Sequence, residues 1–212
     1  MCSRYELKTQ FVELPSLLKK DMPRDLERRY VSQELVRPGD PVLVLKNEGK
    51  TITSIMLWGF ISEWAKDPFG NERPRPFNAR AESVDEKKLF RGSWRHKRCL
   101  IPASGFLEKG YRITRKDEKP FWLGGIWSKW MSSEGSEIES CCVLTTEPNE
   151  LVKPLHNRMP VIIPHGKEED WIAAVKEESE LRELMPILRG WNPNNWKAEF
   201  INKASTTQTS LF

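Results

Sequence analysis

The chain has 212 residues, 38% of them hydrophobic and 30% charged, the balance of a soluble globular fold rather than of a disordered or membrane-embedded chain. Its longest apolar run, residues 55–61, falls far short of the ~20 residues that span a bilayer, and the amino terminus lacks the apolar core of a secretion signal, so a cytoplasmic protein is expected. A net charge of +4 is too small to name a partner, although residues 66–100 carry ten Lys or Arg against five Asp or Glu, a bias compatible with a phosphate-bearing ligand.

In chain order, Met1-Cys2-Ser3-Arg4-Tyr5 comes first. Once Met1 is removed, Cys2 carries an amine and a thiol on adjacent carbons, a pair that traps an aldehyde as an imine and then as a thiazolidine ring. The competing reading is a cysteine at the second position by chance. Residues 12–20 have helical spacing, and a basic segment, 24–30, follows. Pro38-Gly39-Asp40-Pro41 is a turn, after which 42–45 and 51–60 form a hairpin across Asn47-Glu48-Gly49-Lys50. Residues 67–76, with three prolines and a glycine, are a loop that leads into an extended segment at 78–82. The serine-to-glutamate spacing of Ser83 and Glu86 predicts a capped helix to about residue 90.

Strands are expected at 97–107, 111–115, 120–130, 138–145 and 158–164, helices at 167–176 and 179–188, and an edge strand at 196–201. Short strands with little helix between them predict an α+β fold, mainly an antiparallel, curved or barrel-like sheet with peripheral helices. One domain over residues 1–201 and a flexible tail over 202–212 are expected, as is a monomer. The four cysteines, Cys2, Cys99, Cys141 and Cys142, include no Cys-x-x-Cys pair, so neither a metal nor a cofactor is expected. Nine tryptophans exceed the needs of a core this size and leave some for a surface that stacks on something flat.

Three stretches carry chemistry. In Asn78-Ala79-Arg80-Ala81-Glu82 the alternation puts Asn78, Arg80 and Glu82 on one face and two alanines on the other, with a solvated edge strand as the alternative. The apolar run 99–107 ends on Glu108, where desolvation raises a carboxyl toward neutral pH, unless it is an ordinary exposed strand end. His156 lies two residues before Arg158, whose charge favours a neutral imidazole able to shuttle a proton; His96 reads as basic surface and His165 as a loop residue.

The ordered set of Cys2 with Arg4-Tyr5, Trp58-Gly59 followed by Trp64, Asn78-Ala79-Arg80-Ala81-Glu82, Pro102-Ala103-Ser104-Gly105-Phe106-Leu107-Glu108 and His156-Asn157-Arg158-Met159-Pro160 resembles the SOS-response-associated peptidase (SRAP) family. The resemblance implies covalent cross-linking to abasic sites in single-stranded DNA. It makes Cys2 the nucleophile and Glu108 a proton carrier during sugar opening. Asn78 orients the terminal amine or the sugar, and His156 is the acid or base at the sugar and imine steps. Arg4, Arg80 and Arg158 would hold phosphates, and Trp64 and Pro38 would stack or wedge at the lesion. The family name also implies autoproteolysis at the amino terminus, here limited to Met1. Three departures stand out: Ser3 where the family usually has glycine, Lys109 where tryptophan commonly follows the glutamate, and no legible Tyr-Asn-x-Ala-Pro segment near Tyr30.

Two other readings compete: a cysteine peptidase using Cys2 and His156, which needs no free amine, and a non-covalent nucleic-acid reader using the basic face. The last residues, with Gln208, Leu211 and Phe212, resemble the short peptide by which bacterial repair proteins dock on the replication sliding clamp.

Overall fold

In the computed structural model, which describes residues 2–70 and 75–201, the chain opens with strands β1 (Tyr5–Leu7) and β2 (Gln33–Val36), then β3 (Pro41–Asn47), β4 (Thr51–Trp58) and β5 (Asn78–Arg80). Next come β6 (Arg98–Ala103), β7 (Gly105–Glu108), β8 (Tyr111–Arg115), β9 (Phe121–Met131) and β10 (Glu137–Thr146). Strands β11 (Met159–Pro160), β12 (Ile162–Ile163) and β13 (Trp196–Phe200) complete the set.

Five of these strands close into a barrel. β4 pairs with β3, β3 with β6, β6 with β9 and β9 with β10, all antiparallel, and β10 returns to β4 in parallel. Both faces are covered along β6, every residue of which is buried, and along the last seven residues of β10, whereas β4 alternates between buried and partly exposed positions. The turn of the barrel needs backbones in contact, which Gly125 of β9 allows; a Cβ there would sit 2.9 Å from the Cys142 carbonyl oxygen. Trp58, Trp94, Trp127 and Trp171 are fully buried, and Trp64, at 59%, alone among the nine tryptophans is exposed. The tryptophan excess is therefore core, and not a stacking surface.

β10 is the seam from which the site is built. β4 leaves it at Trp58, opposite Cys141, and β5 takes over the same edge from Val143 to Thr145, running parallel. Around this handover the Gly59 N–H donates to Cys141 O and the Val143 N–H to Phe77 O. On the opposite edge β11 pairs with Thr145 and Thr146.

A second sheet, antiparallel throughout, has the order β13-β8-β7-β1-β2. Chain ends ordinarily fray, yet β1 is an interior strand here, bonded to β2 on one side and β7 on the other. Buried Glu6 anchors it: its carboxylate accepts from Arg112 Nε at 2.6 Å, with Lys8 Nζ at 3.5 Å, while its carbonyl accepts from the Ser104 N–H.

The helices α1 (Ser16–Lys20), α2 (Arg24–Arg29), α3 (Arg91–His96), α4 (Glu168–Ile172) and α5 (Glu178–Leu184) are short. The α+β class, with a mainly antiparallel, barrel-like sheet and peripheral helices, agrees with the sequence reading; the parallel contacts of β10 are additional. Some boundaries differ. The helix expected over 12–20 is split, because Pro15 has no N–H to donate; a 3-10 turn at Phe11–Glu13 precedes α1. No helix starts at Ser83, which belongs to a 3-10 turn, Ala81–Ser83; of the next residues only Val84 is buried, so no apolar stripe holds a helix down before Arg91. The 97–107 strand divides at Ser104, where the chain passes from the barrel to the second sheet. Among the described residues no helix is long and apolar enough to cross a membrane.

Candidate active site

The antiparallel register of β1 and β7 sets Tyr5 opposite Phe106, and the ladder continues with the Leu107 N–H donating to Arg4 O at 3.0 Å. Followed two residues further, this pairing brings Cys2 beside the end of β7, where Glu108 stands. Cys2 is 2% exposed. Burial foremost, and then the negative charge of Glu108, push its thiol from 9.0 up to about 12.

The third member arrives from the other sheet. Asn78, the first residue of β5, donates from Nδ2 to the Cys2 carbonyl oxygen at 2.9 Å. Its Oδ1 is buried and has no hydrogen-bond partner among the described residues. That oxygen is an acceptor facing the terminal residue, and a donor reaching it would be worth about 0.5–1.5 kcal/mol. Ala79 and Ala81 are buried and Arg80 and Glu82 exposed, the alternation expected over residues 78–82.

His156 sits in a turn before β11, its own N–H donating to Val152 O at 2.9 Å. Its Nδ1 accepts the Arg158 N–H at 2.9 Å, which puts the proton of the neutral ring on Nε2. The Arg158 guanidinium turns elsewhere. It forms a two-pronged pair with Glu82, at 2.6 and 2.7 Å, and donates to Thr145 O at 2.5 Å, so it ties the end of β5 to β10 and β11. The Arg158 bond is the main reason the Glu82 carboxyl lies below the usual carboxylate range.

The fold thus brings Cys2, Asn78 and Glu108 together, with His156 and Arg158 at the end of β10 that β5 shares. Arg4 and Arg80 are exposed, with no side-chain hydrogen bond or ion pair among the described residues. Pro38 is exposed on a turn docked to Trp58, which packs on Tyr5 and donates to Phe77 O, one residue from Asn78. Trp64 is not part of this group: it lines a small recess with Phe60, Leu89, His96 and Lys97. The tail residues Gln208, Leu211 and Phe212 lie outside the described residues. Thr145 and Glu6 escaped the sequence reading as supports of the site; a charged residue inside the strand Tyr5–Leu7 was the signal available for Glu6.

An open cleft of about 1780 Å³ lies apart from this cluster, between residues such as Ser104, Arg112, Phe121 and Trp191, and includes none of Cys2, Asn78, Glu108 and His156. Among the described residues no group of three or more His, Cys, Asp or Glu is placed to hold a metal ion.

A family model described as SOS response associated peptidase (SRAP) matches residues 1–204. The chain belongs to the SRAP family. All the motifs from Cys2 to Pro160 fall inside that span. Among SRAP relatives, the abasic site processing protein YoqW of Bacillus subtilis (strain 168) is 34% identical over 210 residues, covering 93% of this chain and 91% of that protein. Abasic site processing protein YoaM of the same organism is 34% identical over 184 residues, covering 81% of this chain and 79% of its own. A solved structure of a protein from Bacteroides thetaiotaomicron has the same fold, with a TM-score of 0.81 at 22% identity, over 95% of this chain and 93% of that one.

Proposed function

We propose that this SRAP protein captures abasic sites in single-stranded DNA covalently, through the amine and thiol of Cys2 once Met1 has been removed. The observation that carries the reading is a buried Cys2 held by Asn78 and lying within the field of Glu108. The names of the relatives point the same way.

An abasic sugar opens to an aldehyde at C1′. The Cys2 amine adds to C1′ and water leaves, giving an imine; Sγ then adds to the same carbon while its proton passes to the imine nitrogen, and the thiazolidine closes. The order follows from the acidities. Burial disfavours the thiolate of Cys2 and makes it the weaker first nucleophile, whereas α-amines, with a reference pKa of ~7.7–8.0, have a free-base fraction at neutral pH. Holding the aldehyde against both groups supplies effective concentration. Glu108 carries protons to and from the sugar and the closing ring, Asn78 orients the terminal residue, and His156 donates from Nε2 to a sugar oxygen.

A cysteine peptidase using Cys2 and His156 needs no free amine, so a chain that retains Met1 separates the two readings. Arg4 and Arg80 contact flanking phosphates, Arg158 does so only in competition with Glu82, and Pro38 edges the lesion. Single-stranded DNA is the partner because the lesion must leave any base stack to enter the pocket. The chain acts as a monomer in the cytoplasm, residues 1–201 forming the domain and 202–212 a tail that docks on the sliding clamp through Gln208, Leu211 and Phe212. Unchanged clamp affinity after deletion of Leu211 and Phe212 would remove that last element.

The test is a denaturing gel of single-stranded oligonucleotide carrying one abasic site. The processed chain should give a shifted band that survives denaturation, and a chain retaining Met1 should not. Cys2→Ala keeps the amine and should give a band only after borohydride reduction of the imine. Absence of a band with the processed chain overturns the proposal.

A further inference from the structure

The second sheet carries an aromatic file up to the rim of the site. Its registers set Tyr5, Phe106, Ile113 and Ala198 in one cross-strand row and Glu108, Tyr111 and Phe200 in the next row toward the rim. Directly paired residues project from the same face of a sheet, so Phe200 shares the face of Glu108. In the deeper row Tyr5, Phe106 and Ile113 are buried, and Phe106 leads on to Trp191 and Trp196. In the rim row the Tyr111 and Phe200 rings meet edge to face at 5.2 Å, and Phe200 is left 63% exposed.

This ring is held in place. The Ile201 N–H donates to Gly110 O at 2.7 Å, closing the end of β13 onto the β7–β8 turn. A Cβ on Gly110 would lie 3.1 Å from the Phe200 ring, so the ring rests on that turn. Lys109, the residue between Glu108 and Gly110, is exposed and has a left-handed φ of 46°, an uncommon conformation for a side chain of this kind. An exposed aromatic, a cation and the catalytic candidate Glu108 thus share one rim.

We propose that Phe200, braced by Tyr111 and Gly110, is the platform on which a base two or three nucleotides from the lesion stacks, with Lys109 against an intervening phosphate. This rests on the reading that Glu108 borders the lesion pocket. Single-strand binding sites combine these two parts, an aromatic face for the base and cations along the backbone. The spacing agrees: paired Cα atoms are ~4.5–5.5 Å apart, so Phe200 is roughly 10 Å from Glu108, two or three stacked nucleotides at ~3.4 Å each. The proposal also accounts for a departure from the family pattern, since Lys109 occupies the place after Glu108 where a tryptophan is usual; the aromatic surface comes from two strands away instead.

The experiment measures non-covalent binding of lesion-free single-stranded oligonucleotide to the processed full chain, scored separately from cross-linking. Phe200→Ala should weaken binding about tenfold, with the melting temperature little changed because the ring is mostly exposed. Phe200→Leu, apolar but without a π face, should behave like the alanine variant, and Phe200→Trp should bind at least as well as the native chain. Lys109→Ala should reduce the slope of log K against log salt by about 0.7. In oligonucleotides with an abasic site, removing the base two or three nucleotides from the lesion, on one side only, should erase the difference between native and Phe200→Ala cross-linking. Native binding by Phe200→Ala or Phe200→Leu would overturn the platform while leaving cross-linking intact. A native chain that binds single strands through Phe200 yet gives no covalent band would instead overturn the cross-linking reading. If a chain ending at residue 201 loses its dependence on Phe200, the ring serves the protein's own tail and the proposal falls.

Discussion

Replacing Asn78 separates function from stability at one side chain. In Asn78→Ala the fold loses a neutral hydrogen bond to the Cys2 carbonyl, worth about 1 kcal/mol, and is relieved of a buried oxygen without a donor among the described residues, which costs about 1–3 kcal/mol. The two effects oppose each other and leave a net of about 0–2 kcal/mol in favour of the variant, so the Met1-bearing chain should melt no lower than the native one and at most about 4–8 °C higher for a chain of this size. Cross-linking should suffer more. Without the 2.9 Å bond that holds the terminal residue, the amine samples poses away from the aldehyde, and a loss of about 1.4 kcal/mol of orientation is a tenfold drop in rate. Asn78→Asp adds a distinct signature. Its carboxylate raises the pKa of the nearby ammonium, so the rise of rate with pH moves to higher pH, whereas the alanine variant lowers the rate with no such displacement. The assays are thermal melts and single-turnover gel time courses between pH 6 and 9. A native rate in Asn78→Ala, or a stability loss above about 2 kcal/mol, would refute the reasoning.

High pH should unfold the protein early: the Cys2 thiol is raised from 9.0 to about 12 on folding, mainly by burial, so its contribution is complete below pH 9 and is lost as pH climbs toward 12, by ~1.4 kcal/mol per unit. Buried Tyr5, Cys99 and Cys142 are raised too and add to the slope; urea midpoints at pH 8, 9 and 10 measure it, and Cys2→Ser should flatten it. Arg158→Ala strands the Thr145 carbonyl and breaks the partly exposed pair with Glu82, for a loss of about 2 kcal/mol by denaturant titration, whereas Arg80→Ala should leave stability unchanged and reduce the salt slope of single-strand binding by about 0.7. Gly125→Ala drives a Cβ to 2.9 Å from Cys142 O inside the barrel wall and should cost about 1–3 kcal/mol or leave the protein insoluble; a native-like melt would show that the wall yields more easily.

Much of the fold was legible because it is local. Alternation and turn residues marked the β3–β4 hairpin, β8, β9, β10 and β13 to within about two residues, and the alanines of 78–82 did face inward. What misled was also local: Ser83 and Glu86 have the spacing of a capping box, but a cap needs a helix that buries something, and Asp85-Glu86-Lys87-Lys88 buries nothing. The tryptophan count suggested a stacking surface, and packing absorbed nearly all of them.

By itself the sequence determined the strand content and the types of group available for chemistry: a thiol next to a future amine, a carboxylate after an apolar run, an amide and an imidazole in polar stretches. It could not determine their meeting. Cys2 and Glu108 are neighbours because β1 is an interior strand paired with β7, and Asn78 reaches Cys2 because β5 takes the edge of β10 that β4 vacates. These are pairings between residues a hundred or seventy-odd positions apart, and strand pairing at such range depends on closure of the whole barrel rather than on any stretch of chain. The same closure set Arg158 on Glu82 and Thr145, and left Phe200 exposed in the row of Glu108.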